Sequence, residues 1–235
     1  MGRWDDKRLV RFRIFPSSFR PPLWHSWCCF SHGMRYLIPI CLTAALAWGV
    51  VSWMIGPSIR TPAGVLVAEE PLQENCPAHV VAQMKDYTVT AVAAYTIRGR
   101  VLHTKHYWAD GNDLVPYDVA LGWGRMSDQS VLDHLEISQG NRFYFYQWHG
   151  ESPIPQDEIV AHSSNNHLIA ASNAIAHVIS GLYPGEIVTM QGYLVNVSKP
   201  NGFHWNTSLS RTDTGNGACE VFYVEGIKAE RPAGS

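Results

Sequence analysis

A long predicted strand begins at Thr88 and reads TVTAVAAYTIRGR as far as Arg100. Side chains two residues apart point to the same face of a strand, and here one face is almost entirely apolar. The apolar face carries Val89, Ala91, Ala93, Tyr95 and Ile97, opposite Thr88, Thr90, Thr96, Arg98 and Arg100. This two-residue period is typical of a half-buried β-strand, and Gly99 predicts a bend or bulge near its end.

Further strands are predicted downstream, where Val, Ile, Phe and Tyr are concentrated. These runs are Arg142–Trp148, Glu186–Val197, Phe203–Leu209 and Ala218–Glu225. The first of them, RFYFYQW, is aromatic on both faces, which favours a central strand. A strong turn signal, Lys199-Pro200-Asn201-Gly202, precedes the third run.

Three short helices are predicted around these strands. Asn75-Cys76-Pro77 has the cap and the early proline of a helix start. Ser127 would cap a second helix that ends at Leu135. Ser172–Ser180 is the third helix and ends at Gly181. Its residues Ile175, Val178 and Ile179 are predicted to face the core.

These elements predict an α+β fold, a mainly antiparallel β domain with two or three short helices. One feature narrows the architecture further. A helix, then Pro184-Gly185, then the strand EIVTMQGYLVNV is compatible with the entry to the fourth strand of an OB-like open barrel.

An uncharged apolar stretch, LIPICLTAALAWGVVSWMIG, occupies residues 37–56. A helix of this length spans about 30 Å, the thickness of a bilayer core, so a transmembrane helix is predicted. Seven of the 18 basic residues precede it, and Arg60 alone lies between it and Lys85. The positive-inside rule then places the N-terminus in the cytoplasm and the rest of the chain outside.

Two other interpretations of this stretch stay open: a cleaved signal peptide, indicated by Ala45-Leu46-Ala47, and a buried core helix. Translation from Met34 would give a compact signal-anchor and would omit residues 1–33. The predicted organisation is a basic segment (1–36), a span (37–56), a linker (57–74), an exported domain (75–228) and a tail (229–235).

The predicted exported part is acidic, which argues against nucleic acid as a partner. Residues 36–235 carry 11 basic and 18 acidic side chains, and no Lys- or Arg-rich run follows Arg35. Nucleic-acid binding needs a positive field that displaces counterions from the phosphates. No cofactor is predicted, since Gly122-Trp123-Gly124 lacks the strand and helix context of a dinucleotide site.

Cys76 and Cys219 are the two cysteines of the predicted exported part, and a single pair permits one connectivity. An oxidising compartment favours a disulfide between them. Two buried free thiols are the alternative.

Two glycine-containing segments carry candidate binding residues. In DVALGWGRMSD, Asp118–Asp128, the glycines would present Trp123 for stacking and Arg125 for pairing with an anion. The alternative places Trp123 in the core. In Trp205–Gly217, Arg211 and Asp213 would hold a turn whose backbone N–H groups form an anion nest, and an ordered hairpin loop is the alternative.

The richest polar cluster is HSSNNH, which begins at His162 and ends with Asn166 and His167. The two histidines are candidates for zinc binding or for acid–base work in a metal-dependent hydrolase. A third ligand, such as His204 or Asp213, would have to come from elsewhere. The alternative is that both histidines satisfy helix ends and loop backbone.

The chain resembles a family of bacterial membrane-anchored or periplasmic proteins without an assigned activity. The resemblance covers about residues 86–225 and rests on VPYDVALGWGRMSD, ISQGNRFYFYQW, HSSNNHLI, GYLVNV and SLSRTDTGNGACEVFYVE. It implies a location in the bacterial envelope.

The resulting hypothesis is a single-pass inner-membrane protein whose periplasmic domain has a binding or accessory role. Its partner would be an envelope protein, a peptide or a glycan. A metal-dependent hydrolase that uses His162 and His167 is the alternative hypothesis. A structural or assembly subunit that acts by contact alone is a third.

Overall fold

The computed structural model describes residues 39–43, 46, 58–108, 114–215 and 217–232. The chain divides into two compact units, Met1–Ile55 and Gly56–Ser235. In the first unit the described residues, 39–43 and 46, are helical. Among all described residues, no helix is both long and apolar enough to cross a membrane. Most of the predicted span 37–56 and all of the basic segment 1–36 lie outside the described residues.

The second unit is rich in strands, and its described residues form nine of them. They are β1 (Leu72–Met84), β2 (Tyr87–His106), β3 (Tyr117–Gly122), β4 (Glu136–Gly140), β5 (Phe143–Gln147), β6 (Ser163–Ala170), β7 (Ile187–Ser198), β8 (His204–Trp205) and β9 (Glu220–Glu230). The helices are short: a 3₁₀ turn (Gly124–Ser127), α1 (Gln129–Leu132), α2 (Gln156–Ala161) and α3 (Asn173–Ser180). The predicted α+β class, with few short helices, is confirmed.

Five strands of the main sheet close into a ring. The strand order is β1-β2-β3-β6-β9-β7-β8, and β2 also pairs with β7. The ring therefore runs β2-β3-β6-β9-β7 and back to β2. The β6–β9 pair is parallel, whereas the other pairs of the sheet are antiparallel, so the sheet is mixed. Strands β4 and β5 form a separate two-stranded hairpin.

Strand β2 is long enough to pair with both β7 and β3, and this double pairing closes the ring. Residues 88–100 pair with β7, and residues 100–106 pair with β3. The β2–β3 ladder shifts register between Val101 and His103, two residues beyond the bend predicted at Gly99. Gly99 itself lies close to β3, where an added Cβ would stand 3.1 Å from Leu121 Cβ.

The predicted alternation of β2 is confirmed, because the whole apolar face is buried. Val89, Ala91, Ala93 and Ile97 have no exposed surface and Tyr95 is 1% exposed. The largest apolar cluster includes Tyr95, Ile97, Leu121, Trp123, Leu168, Leu194 and Phe222. A second cluster includes Val89, Ala91, Ile169, Val195, Val221 and Tyr223. Neighbouring residues of β6 and of β9 thus pack into different clusters.

The helix predicted over Ser172–Ser180 is confirmed as α3. The Ser172 side chain accepts a hydrogen bond from the Ile175 N–H, and Gly181 is the C-cap. Of the three residues predicted to face the core, Ile179 is buried and Ile175 is partly buried, whereas Val178 is 36% exposed. Ser127 does not cap a helix, because it ends the 3₁₀ turn. Asp128 is the cap of α1 and accepts a hydrogen bond from the Ser130 N–H.

The helix predicted from Asn75 is wrong, since this segment is strand β1. Antiparallel pairing with β2 overrides the local helix-start pattern. Pro77 lies in the register shift between Asn75 and His79, where the ladder needs no N–H donor.

The central strand predicted at Arg142–Trp148 is also wrong. The segment forms β5 of the two-stranded hairpin, where Phe143 and Phe145 stay 37% and 49% exposed. The predicted strand Phe203–Leu209 is reduced to the two residues of β8.

The predicted linker has no regular structure from residue 58 to residue 71, yet it packs on the domain. Residues 58–71 are called the strap here. Val67 is fully buried, and its N–H donates to Ser127 Oγ at 3.0 Å. Arg100 donates to the Ile59 carbonyl at 3.1 Å. The strap is therefore part of the folded unit rather than a free tether.

Candidate functional site

The eight predicted binding residues separate into different environments. Trp123, His162 and Arg211 meet near the strap. His167 and Trp205 lie together beside β3. The other three, Arg125, Asn166 and Asp213, have partners of their own.

Trp123 belongs to the core and is not presented to solvent. It has no exposed surface, and its Nε1 donates to Glu70 Oε2 of the strap at 2.8 Å. His162 Nε2 lies 3.2 Å from the other oxygen of Glu70, and His162 Nδ1 lies 2.9 Å from the Glu158 carbonyl. Arg211 reaches the same place, with Cζ 5.8 Å from the Trp123 ring centroid. Trp123 and His162 therefore hold the strap.

Arg125 forms a surface ion pair. Its Nη1 lies 3.2 Å from Glu158 Oε2, and about half of the Arg125 side chain is exposed. Exposed pairs of this kind contribute at most about 1 kcal/mol to stability. Arg125 is therefore paired with Glu158, whereas Trp123 is buried in the core.

His167 is buried against an acidic side chain of β3. His167 Nδ1 lies 2.8 Å from Asp118 Oδ1, and its ring centroid lies 4.8 Å from that of Trp205. Asp118 has no exposed surface and His167 is 2% exposed.

The two histidines of the HSSNNH cluster are thus held by different carboxylates, Glu70 and Asp118. No group of three metal-ligating side chains is found in the part of the chain that the structure describes. The hydrolase hypothesis requires His162, His167 and a third ligand to come together, and the described residues do not form such a group.

Arg142 completes the Asp118 environment and was missed by the sequence patterns. It lies at the β4–β5 turn with φ 69°, and its Nη1 donates to Asp118 Oδ1 at 2.9 Å. Its Cζ lies 3.9 Å from the Tyr107 ring centroid. Burial, with the negative charge of Asp118, raises the pKa of Tyr107 to about 12. This network joins the β4–β5 hairpin to the ring of five strands, which is called the barrel below.

A cleft of about 240 Å³ opens between the hairpin and the barrel. Three segments line it: the hairpin, the region from α2 into β6, and the loop that precedes β9. The lining residues are Phe143, Tyr144, Tyr146, Val160, Ser163, Ser164, Asn165, Asp213, Thr214, Gly215, Ala218 and Cys219. Asp213 is the member of this lining that the sequence analysis had singled out as a binding residue.

One side of the cleft is aromatic and the other is polar. The Tyr144 hydroxyl is buried, and on the polar side Ser163 Oγ donates to the Ile159 carbonyl at 2.7 Å. Asn165 on the polar side is fixed, since Nδ2 donates to the Arg142 carbonyl at 3.2 Å and Oδ1 accepts from Gln139. Asp213 Oδ2 accepts from Ser208 Oγ at 2.7 Å. The cleft thus offers stacking surface, hydroxyl and amide groups, and one carboxylate.

Cys219 lies at the edge of this cleft as a free thiol, and Cys76 is also free. The predicted disulfide between them is therefore not formed. Cys76 packs against the cluster of Val89 and Val195, whereas Cys219 Sγ lies 3.6 Å from Asn165 Nδ2. Burial raises the pKa of Cys219 to about 11, which keeps it protonated and poorly nucleophilic near neutral pH.

Asn166 and Glu220 lie inside the ring rather than in the cleft. They are partners in the parallel β6–β9 ladder and are 0% and 3% exposed. Arg211 Nη1 lies 3.4 Å from Glu220 Oε1 and donates to the Tyr95 hydroxyl at 3.0 Å. Arg211 therefore joins the loop before β9 to the barrel interior.

The comparisons with known proteins add no identity to this geometry. No protein-family model, no curated protein and no solved structure matches the chain.

Proposed function

We propose that the second unit is an OB-type barrel with a binding function. An OB-fold is a five-stranded Greek-key barrel. The ring here also has five strands, and α3 lies between β6 and β7. These features support the OB-like architecture that the sequence suggested.

The observation that carries the function is the position of the cleft on this barrel. OB-folds bind oligonucleotides and oligosaccharides on the face of their second and third strands and on the loops beside it. In the ring, β3 and β6 take those two places. The cleft is lined by the start of β6 and by the loop that precedes β9.

The charge of the chain selects between the two ligand classes. Residues 36–235 carry 11 basic and 18 acidic side chains, and Asp213 is the charged residue of the cleft lining. A polyanion would be repelled, whereas a neutral glycan places hydroxyl groups on polar side chains and its apolar ring face on aromatic ones. The proposed ligand is therefore an oligosaccharide.

The volume of the cleft limits how much of the ligand it encloses. Pockets for drug-sized ligands measure roughly 300–1,000 Å³, and this cleft measures about 240 Å³. It would enclose one end or one unit of a longer glycan. The proposal is binding rather than hydrolysis, because His162 and His167 are held apart.

The proposed setting is the periplasmic side of a bacterial inner membrane, with the N-terminus in the cytoplasm. It is supported by the uncharged stretch 37–56 and by the excess of basic residues before it. Envelope glycans would be accessible to a domain in this location.

The cleft proposal predicts a difference between two phenylalanines of the hairpin. Phe143 lines the cleft, whereas Phe145 on the same strand is 49% exposed and lies outside the lining. If a sugar ring covers Phe143, Phe143→Ala should remove about 1.5–3 kcal/mol of binding free energy, or about 10- to 150-fold in affinity. Calorimetric titration of the full chain with short N-acetylglucosamine oligomers would measure this.

Phe145→Ala is the matched control and should change the affinity by less than about twofold. Equal effects of both substitutions would contradict the cleft as the binding site. Failure of N-acetylglucosamine and glucose oligomers to bind, with binding of an unstructured peptide instead, would contradict the glycan class.

A further inference from the structure

Two buried polar side chains face the same interior of the ring from neighbouring strands. Asn166 of β6 and Glu220 of β9 are directly paired in the parallel ladder. Leu168 and Phe222, two residues further along each strand, belong to the same interior cluster. Because side chains alternate along a strand, Asn166 and Glu220 share that interior face.

Each of these side chains has one oxygen without a hydrogen-bond partner, Asn166 Oδ1 and Glu220 Oε2. The orientation of the Asn166 amide is fixed, because its Nδ2 donates to Ser164 Oγ at 2.9 Å and to the Val119 carbonyl at 3.3 Å. Two unpaired acceptors on paired residues of neighbouring strands are costly in a buried site. A proton on Glu220 Oε2 would turn one acceptor into a donor and satisfy both atoms.

The charged and titratable groups around Glu220 come from several elements. The loop contributes Arg211, whose Nη1 lies 3.4 Å from Oε1, and Asp213. Strand β2 contributes Tyr95, which accepts from Arg211. Cys219 precedes Glu220 in the chain. Burial raises the pKa of Glu220 to about 8 although Arg211 opposes the shift, and Asp213 raises it further.

The loop over this site also forms part of the cleft. Residues 206–215 are attached next to Glu220, because the Ser208 N–H donates to the Cys219 carbonyl at 3.0 Å and the Val221 N–H donates to Thr207 Oγ1 at 3.0 Å. Asp213, Thr214 and Gly215 of the same loop line the cleft. A change at Glu220 is therefore close to the cleft wall.

We propose that Glu220 is a buried carboxylic acid that donates its proton to Asn166, and that loss of this proton opens the loop 206–215. The ionised carboxylate keeps Arg211 beside Oε1, but its Oε2 is buried without a partner and needs water. Water reaches it when the loop moves away. The position of the loop 206–215, which forms one wall of the cleft, then depends on pH. This dependence does not require any particular ligand in the cleft.

The sign of the pH effect follows from the proton balance. The folded chain keeps the Glu220 proton up to about pH 8, whereas an unfolded chain loses it near pH 4.3, the ordinary value for glutamate. Unfolding therefore releases one proton between these values. The contribution of Glu220 to stability is fully present below about pH 4 and is lost as the pH rises through about 8.

The test uses the full chain, Glu220→Gln and the matched control Glu225→Gln. Glu225 is exposed on the same strand. Glutamine keeps a donor for Asn166 and an acceptor for Arg211 but does not titrate. Between about pH 5 and 8, the unfolding equilibrium constant of the wild type should rise about tenfold per pH unit relative to Glu220→Gln. Glu225→Gln should follow the wild type.

Two further measurements examine the proton and the loop directly. The Glu220 carboxyl carbon should titrate near pH 8 in carbon NMR. Amide hydrogen exchange of residues 206–215, corrected for the intrinsic pH effect, should accelerate above that pH in the wild type and not in Glu220→Gln. A midpoint in the ordinary glutamate range, parallel unfolding curves, or a loop that becomes better protected at high pH would each overturn the proposal.

Discussion

Trp123→Ala is expected to destabilise the barrel unit by about 3–5 kcal/mol, the cost typical of removing a large buried aromatic side chain. The Trp123 indole has no exposed surface and packs with Tyr95, Ile97 and Leu121. Its removal also leaves Glu70 Oε2 without the indole N–H that it accepts at 2.8 Å. Urea unfolding of the full chain, followed by circular dichroism, would measure the loss.

The matched control is Trp108→Ala. Trp108 is 86% exposed, and substitutions at exposed positions usually change stability by less than about 0.5 kcal/mol. If both variants lost the same stability, the core position of Trp123 would be refuted. If Trp123→Ala kept its stability and lost glycan binding instead, Trp123 would be a binding residue.

Arg100→Ala is expected to cost more than about 3 kcal/mol and to release the strap. Arg100 is 1% exposed and donates to the carbonyl oxygens of Ser127 and Ile59 at 3.0 and 3.1 Å. Its Nη2 also donates to Gln129 Oε1. Hydrogen bonds from a charged group contribute about 1.5–3 kcal/mol each, and acceptors left buried without a partner add a penalty. Unfolding experiments would give the free energy.

The neighbouring arginine on the same face of β2 provides the comparison. The Arg98 side chain is 39% exposed and lies 3.8 Å from Glu230, so Arg98→Ala should cost no more than about 1 kcal/mol. Arg98 also donates to the Leu66 carbonyl of the strap at 3.4 Å, so the comparison is made at the other end of the strap, where Arg100 binds the Ile59 carbonyl. Hydrogen exchange in residues 59–61 should accelerate in Arg100→Ala and remain nearly unchanged in Arg98→Ala. Unchanged exchange in both variants would show that Arg100 does not hold the strap.

The sequence predicted the elements whose local and tertiary signals agree. Strand β2 alternates strictly along its apolar face, and α3 has both a serine cap and a terminal glycine. Strand β1 was missed because Asn75-Cys76-Pro77 is a good local helix start, and only pairing with β2 reveals the strand. A local sequence pattern carries no information about which distant strand will pair with the segment.

The candidate site was harder to predict because its parts come from distant segments. The cleft joins Phe143 and Asn165 with Asp213, and no spacing rule connects these positions. For the histidine cluster, closeness in sequence was misleading, because it predicted that His162 and His167 share one metal ion. His162 is the residue after α2, whereas His167 lies within β6, so the two rings reach different carboxylates.

Strand β9 lies between β6 and β7, so folding of the ring depends on pairing between distant segments of the chain. The pairing of β9 with β6 joins Asn166 to Glu220, and the closure between β2 and β7 joins Thr88 to Ser198. Contacts so distant in sequence slow folding, because a long loop must be ordered before any pairing is gained. The ring cannot close until the last strand has been synthesised, so β6 and β7 keep an unpaired edge while the chain is still emerging. A chain that crosses a membrane would then do so unfolded, and its barrel would assemble only after residue 230 is released.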